Sequence, residues 1–342
     1  MKQTYPYIHS LRFFATLAII LLHTSSAIYG NIENYSGVSD SDMFVFAFYK
    51  HIMEWAVPVF VMITGALLLS PEKQTDYRII LDKYVKRMAL AILIFGLPMA
   101  LSESFLTYGF GSFIKVLTSG IVNCITGFSW NHMWYLYMLI CLYMITPIIK
   151  PFVNSASKGQ FQIALFVMFL LSSLIPVIKS CGVDINGYMV IGTPFIFLYM
   201  LGYYLHVYVG CDKGGFVKKI SWVLLLLSVA AVFLKVLYGI RFNEYADVPC
   251  IVMAASLFLI FKCYGLKSDF FAKMAPCCFA VYLIHPLFIN LFYKILDITP
   301  LGMLQPLPLV VKISLFFILF SLLSFALGFI LLKIKPLKKY IL

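Results

Sequence analysis

Long apolar segments recur from one end of the chain to the other and alternate with short polar connections. Counting about twenty residues for each membrane crossing predicts ten helical spans. These spans lie at 8–29, 52–70, 88–106, 132–149, 161–178, 191–209, 220–238, 246–264, 274–294 and 309–332. The connections are too short to bury a separate core, so we expect one all-α polytopic membrane domain over residues 1–342.

Composition supports a membrane protein. Hydrophobic residues make up 62% of the chain and charged residues 12%, and the mean hydropathy is +0.96. A chain with so little polar surface cannot wrap a water-soluble globule, which makes lipid its main solvent. We expect a multi-pass protein of the bacterial inner membrane.

Basic residues occupy alternate connections. Of the 26 Lys and Arg residues, 18 lie on one side of the predicted spans, five lie on the other, and Arg12, Lys235 and Lys312 lie within spans. By the positive-inside rule both termini are cytoplasmic. The net charge of +12 therefore reflects membrane orientation, and we expect no nucleic-acid partner.

Two other features bear on the fold. The outer connection at 107–131 is rich in Gly and aromatic residues, and its part at 111–127 has the character of a re-entrant or interfacial segment. The eight cysteines show neither CxxC nor Cys/His ligand spacing. This pattern predicts neither a zinc site nor a disulfide framework, and we expect most cysteines to be small packing residues.

Charges inside a bilayer mark candidate sites, because burying one there costs several kcal/mol unless it is paired or hydrated. Arg12 and His23 are 11 residues apart, which is about three helical turns and about 16 Å along one face. Thr16 and Thr24 lie along or next to this face. We call these four residues the polar seam, and expect it to line an internal cavity.

The chemistry of the seam has two interpretations. An arginine is a permanent forked cation suited to phosphate groups, whereas a neutral imidazole can remove a proton from a hydroxyl and return it later. In the structural alternative, Arg12 snorkels to lipid phosphates and His23 only hydrogen-bonds a neighbouring helix. The residues alone leave both open.

Five motifs in order resemble acyltransferase family 3 over nearly the whole chain. They are Y-x-x-x-L-R-x10-H from Tyr7 to His23, VPVFVMITGALLL at 57–69, Lys83-x-x-Lys86-Arg87, HMWYLYMLICLYMITPIIKPF at 132–152 and VYLIHPLF at 281–288. The resemblance implies a multi-pass acyltransferase that takes acetyl or another acyl group from coenzyme A and modifies extracytoplasmic glycans, lipids or polymers. The family's Arg-x10-His pair maps onto Arg12 and His23.

Three further cations stand where family members often carry Arg-x-x-Arg. We expect Lys83, Lys86 and Arg87 to hold the phosphates of acyl coenzyme A together with Arg12. Two lysines in place of arginines weaken bidentate recognition. The alternative is a solvated positive-inside run.

Candidate residues on the acceptor side come from several spans. His132, Trp134 and Tyr135 form either an aromatic belt or a platform on which a sugar ring stacks. Glu54 needs a partner, which we expect to be His23 or a nearby lysine; paired with His23 it would act as the carboxylate of a catalytic triad does.

His285 lies mid-span, where it either contributes to the substrate site or hydrogen-bonds another helix. Lys235, Lys312 and Asp247 lie near span ends and are expected to snorkel.

The expected activity is an integral-membrane O-acyltransferase. We expect acyl coenzyme A, most simply acetyl coenzyme A, as the donor, a carbohydrate, glycolipid or polysaccharide hydroxyl as the acceptor, and no metal. Whether transfer is direct or passes through an acyl-enzyme stays open. The alternative is a carrier or exporter of a surface polysaccharide or lipid-linked glycan, which would not consume coenzyme A thioesters.

Overall fold

The computed structural model describes residues 5–35, 37–180, 182–186, 193–211, 214–303 and 306–342. Lys2, Cys181, Lys213 and the start of the sixth predicted span, at 191–192, lie outside these residues. The regular structure of the described residues is entirely helical. The helices are α1 (Pro6–Tyr29), α2 (Asp40–Met53), α3 (Ala56–Leu68), α4 (Tyr77–Tyr108), α5 (Phe113–Thr126), α6 (Trp134–Ser155), α7 (Lys158–Ser180), α8 (Phe195–Val207), α9 (Phe216–Leu237), α10 (Val248–Tyr264), α11 (Asp269–Met274), α12 (Cys277–Ile295), α13 (Leu309–Lys333) and α14 (Lys335–Tyr340).

Every predicted span coincides with helical structure. Among the described residues, eight helices are long and apolar enough to cross a membrane, with α2 and α3 together forming one of them. The helices α8 and α10, which match the sixth and eighth predicted spans, are shorter at 13 and 17 residues. These findings confirm an all-α polytopic membrane protein.

Two helices begin well before the apolar runs that revealed them. The helix α2 begins at Asp40 rather than near 52, because Ser39 and Asp42 form a reciprocal capping box at its first turn. The helix α4 begins at Tyr77 rather than 88, with the Asp76 side chain as its N-cap. Hydropathy locates the part of a helix that lipid surrounds, whereas capping residues locate its end.

Glycines hold the short helix α8 against α3. A Cβ built on Gly65 of α3 would overlap the backbone carbonyl of Tyr199, and one built on Gly202 of α8 would overlap that of Met62. Small residues at a crossing allow two helix backbones to touch in a membrane. This close crossing anchors a helix of only about 20 Å.

A helix also forms in the outer connection that we predicted to be re-entrant or interfacial. Helix α5 packs along α4, where a Cβ on Gly120 would overlap the side chain of Leu101. Its other face is apolar and open, with Ile114 and Ile125 each 76% exposed. An apolar open face of this kind suits contact with lipid.

The chain divides into two compact units. One comprises residues up to Ser70 together with Ala156–Gly328, and the other comprises Pro71–Ser155 with Phe329–Leu342. The polar seam lies in the first unit. The predicted cations on α4 and the aromatic residues that open α6 lie in the second.

The cysteine spacing signalled no disulfide framework, but one pair of cysteines is bonded. Cys211, after α8, is bonded to Cys263 near the end of α10, with the two Cα atoms 5.2 Å apart. The bond spans 52 residues, so no local spacing could have indicated it. Cys250, Cys277 and Cys278 are buried thiols, as expected of packing residues.

Candidate active site

The polar seam of α1 faces α12. Thr16 lies beside Cys278, and His23 hydrogen-bonds His285. His23 follows Thr16 by seven residues on α1, and His285 follows Cys278 by seven residues on α12. The two helices therefore run parallel and side by side for two turns, and Arg12, which also lies close to Cys278, is on the same side of α1 as His23.

A histidine pair joins the two helices. The Nδ1 atom of His23 is 2.7 Å from Nε2 of His285, and the rings are stacked with their centroids 4.9 Å apart. His285 is fully buried, whereas His23 keeps part of its surface accessible. Of the two rings, His23 is thus the more exposed one.

The threonines of the seam are satisfied within their own helix. The Thr16 hydroxyl donates to the carbonyl of Arg12 at 2.8 Å, and the Thr24 hydroxyl donates to that of Ile20 at 2.7 Å. Arg12, like His23, is partly exposed. Of the four seam residues, Arg12 and His23 therefore stay the candidates for contact with a substrate.

Glu54 lies at the break between α2 and α3 and pairs locally. Its Oε1 atom is 3.0 Å from Nδ1 of His51 and 3.4 Å from Nζ of Lys50, and Glu54 is 4% exposed. The prediction of a nearby lysine partner is confirmed, and the alternative partner, His23, is not the one observed. This arrangement gives no support to a triad carboxylate on His23.

The Glu54 pair belongs to a larger group of charges. The His51 ring stacks on the Phe242 ring with their centroids 3.6 Å apart. The Nζ atom of Lys235 lies 4.5 Å from the centroid of the same Phe242 ring and 2.5 Å from Oδ2 of Asp247. We call Lys50, His51, Glu54, Lys235 and Asp247 the charge cluster. The described residues contain no group of three or more His, Cys, Asp or Glu side chains able to hold a metal ion.

Sequence reasoning missed most of this cluster. We expected Lys235 and Asp247 to snorkel, but they are paired and largely buried, with side-chain exposures of 15% and 3%. Lys312 is also buried, at 4%. The spacing of His51 and Glu54, three residues apart on a helix, was the available signal.

A tyrosine lies near the charge cluster. Burial, and then the charge of Glu54, raise the pKa of Tyr245, so its phenol stays protonated and is a hydrogen-bond donor.

The three predicted cations of the second unit are helical. Lys83, Lys86 and Arg87 lie in the first turns of α4 rather than in the connection before it. The two lysines are exposed, whereas the Arg87 guanidinium donates to the backbone carbonyls of Ile341 and Leu342. Arg87 is thus partly engaged by the chain itself, while both ammonium groups face outward.

The aromatic residues at the start of α6 differ in accessibility. His132 and Tyr135 are buried, at 3% and 8% exposed, and the rings of Trp130 and His132 meet edge to face at 5.6 Å. Trp134 is partly exposed. Of the three predicted platform residues, Trp134 offers the most surface to a sugar.

A helical membrane protein with an accessible histidine and arginine on one face of a spanning helix fits the class of integral-membrane group-transfer enzymes. The family model of the acyltransferase domain Acyl_transf_3 matches residues 5–333, nearly the whole chain. The chain therefore belongs to this family and is a membrane acyltransferase. Among the curated proteins and the solved structures compared with it, none matches. Membership favours acyl transfer over the carrier or exporter alternative.

Proposed function

We propose that the protein transfers an acyl group, acetyl in the simplest case, from coenzyme A on the cytoplasmic side of the bacterial inner membrane to a hydroxyl of an extracytoplasmic carbohydrate or glycolipid. The observation that carries the proposal is the pairing of His23 with buried His285 on the same face as Arg12. In this proposal, donor and acceptor approach from opposite sides of the membrane. A polar seam about 16 Å long provides polar groups inside the bilayer where the two can meet.

Arg12 serves the donor. It lies near the end of α1 that the charge pattern predicts to be cytoplasmic, and its guanidinium provides paired donors for the phosphate oxygens of coenzyme A. In the second unit, Lys83 and Lys86 are exposed and remain candidates for binding phosphate groups. The engagement of Arg87 with backbone carbonyls makes it the weakest candidate of the three.

His23 serves the chemistry. The acceptor oxygen attacks the thioester carbonyl, a carbon–oxygen bond forms and the carbon–sulfur bond breaks. As the oxygen attacks, His23 removes the hydroxyl proton, and it then delivers that proton to the departing thiolate, so the products are an ester and free coenzyme A. The full burial of His285 makes it a weaker candidate for substrate contact than His23. For stacking on the acceptor sugar, the partly exposed ring of Trp134 is a better candidate than the buried rings of His132 and Tyr135.

The test uses cells that make wild type, His23→Ala, Arg12→Gln, Arg12→Lys or Ser26→Ala at equal membrane abundance. Ser26 lies on α1 with no side-chain hydrogen bond among the described residues and is the matched control. Alkali-released acetate from the envelope carbohydrate fraction measures O-acetylation. Membrane vesicles given acetyl coenzyme A labelled in the acetyl group measure transfer against donor concentration.

We expect His23→Ala to lower transfer by about 10²–10⁴-fold, the usual contribution of a general base. Arg12→Gln should mainly raise the KM for acetyl coenzyme A, and Arg12→Lys should do so less. Wild-type acetylation by His23→Ala would overturn the catalytic assignment. Transfer that is unaffected by either Arg12 variant would overturn the donor site.

A further inference from the structure

We infer that His285 is a positioning residue that fixes the proton of His23 on Nδ1 and so makes Nε2 of His23 the catalytic base. The inference rests on the proposed function, in which His23 is the base. Its evidence is a chain of hydrogen bonds that begins at the backbone of α12 and ends at the accessible ring.

The series of hydrogen bonds starts next to a proline of α12. Pro286 lies inside α12 and has no backbone N–H, so the carbonyl of Tyr282, four residues earlier, loses its usual helical donor. The Nδ1 atom of His285 lies 2.9 Å from that carbonyl and 3.1 Å from the carbonyl of Val281. The His285 side chain thus takes the place of the missing N–H.

Carbonyl oxygens only accept hydrogen bonds, so Nδ1 of His285 must carry a proton. In a neutral imidazole the other nitrogen, Nε2, then has a lone pair. That atom lies 2.7 Å from Nδ1 of His23, and the contact is a hydrogen bond only if Nδ1 of His23 donates. Nε2 of neutral His23 therefore carries the lone pair.

The opposite assignment fails on the same contacts. If His285 donated from Nε2 while neutral, its bare Nδ1 would face two carbonyl oxygens at 2.9 and 3.1 Å, and lone pairs would oppose lone pairs. Protonating both of its nitrogens would place a charge on a fully buried ring, which is costly. The neutral arrangement with His285 as acceptor satisfies these three contacts.

This arrangement suits a general base. The base must present a lone pair to the acceptor hydroxyl, and its orientation must not change between turnovers. In catalytic triads a buried partner on the second ring nitrogen provides this, and disrupting it lowers kcat greatly by allowing the wrong tautomer. Here a neutral buried histidine provides the same function without a carboxylate.

Two substitutions separate positioning from packing. His285→Gln can place its side-chain carbonyl near the original Nε2 and accept from His23, whereas His285→Leu keeps apolar volume and offers no acceptor. In purified protein reconstituted with the native membrane fraction as acceptor source, we expect His285→Leu to lower kcat by about 10²-fold with the KM for acetyl coenzyme A unchanged. His285→Gln should retain most of the activity.

A spectroscopic measurement tests the tautomer directly. Nitrogen-15 NMR of histidine-labelled protein in lipid distinguishes a protonated Nδ1 from a protonated Nε2, and the His23→Gln difference spectrum assigns His23. We expect a protonated Nδ1 in wild type and His285→Gln, and a mixture of tautomers in His285→Leu.

Three kinetic results would each overturn the inference: a wild-type kcat in His285→Leu, a rise in its KM alone, or equal losses in the Gln and Leu variants. A protonated Nε2 on His23 of the wild type would also overturn it. Full activity of His23→Ala would instead overturn the proposed function, while the NMR result would still decide the tautomer. The two failures are therefore distinguishable, and the Gln variant with the spectrum suffices if His285→Leu does not fold.

Discussion

The ion pair of Lys235 and Asp247 allows a quantitative test of how the fold holds charge. The carboxylate is 2% exposed, its Oδ2 is 2.5 Å from the ammonium group, and its Oδ1 has no hydrogen-bond partner among the described residues. The substitution Lys235→Met keeps the apolar stem and removes the charge. Asp247 would then be left as a buried anion without a counter-ion.

The expected cost follows from that geometry. Removing one partner of a buried pair costs about 3–5 kcal/mol, whereas replacing both partners with apolar side chains is close to neutral. With about 2 °C per kcal/mol for a chain of this size, Lys235→Met should lower the apparent Tm by about 6–10 °C. Lys235→Met with Asp247→Leu should recover most of this loss. Asp247 makes no capping bond to α10, so its replacement removes no cap.

The assay is thermal unfolding of the detergent-purified protein, followed by tryptophan fluorescence and by the fraction that stays monodisperse on size exclusion. Lys267→Met, at an exposed position, is the matched control for loss of a lysine charge. A single variant as stable as wild type would show that the pair is not buried as the structure has it. A double variant no better than the single one would refute the unpaired-charge explanation.

Two further predictions concern packing and helix ends. Gly65→Ala should destabilise the protein in the same unfolding assay, because its methyl group meets the backbone of Tyr199. Gly159→Ala should be neutral or slightly stabilising, because Gly159 lies in a helix and faces open space; equal effects would contradict the close crossing of α3 and α8. Lys262→Met should cost about 2–4 kcal/mol, since Lys262 donates to three carbonyls at and after the end of α8. A loss no larger than that of Lys267→Met would contradict this role.

How far the sequence predicts the fold depends on which physical signal marks each feature. Each segment that hydropathy marked as a span coincides with helical structure, because lipid imposes one length scale on membrane helices. Hydropathy misplaced the starts of α2 and α4, because polar caps outside the apolar runs make these helices begin at Asp40 and Tyr77. The disulfide between Cys211 and Cys263 had no sequence signal, because the fold alone brings together positions 52 residues apart.

The candidate site divides in the same way. Helical periodicity placed Arg12 and His23 on one face, and the structure shows that face against α12. Periodicity does not reveal which helix lies opposite, so Glu54 was considered as a partner of His23 when its partners are His51 and Lys50. The role inferred for His285 had a local signal in the His-Pro dipeptide, whose meaning depends on the chain around it.

By itself the sequence determined that this chain lives in lipid as a set of helices, and that one of those helices carries an arginine and a histidine along a single face. These are properties of one helix and its solvent, and are written in the spacing of nearby residues. Only the tertiary structure decided that His23 meets His285 and that Lys235 is paired with Asp247. Those contacts join residues that no single helix brings together, and hydrophobicity, which acts without direction, does not specify them.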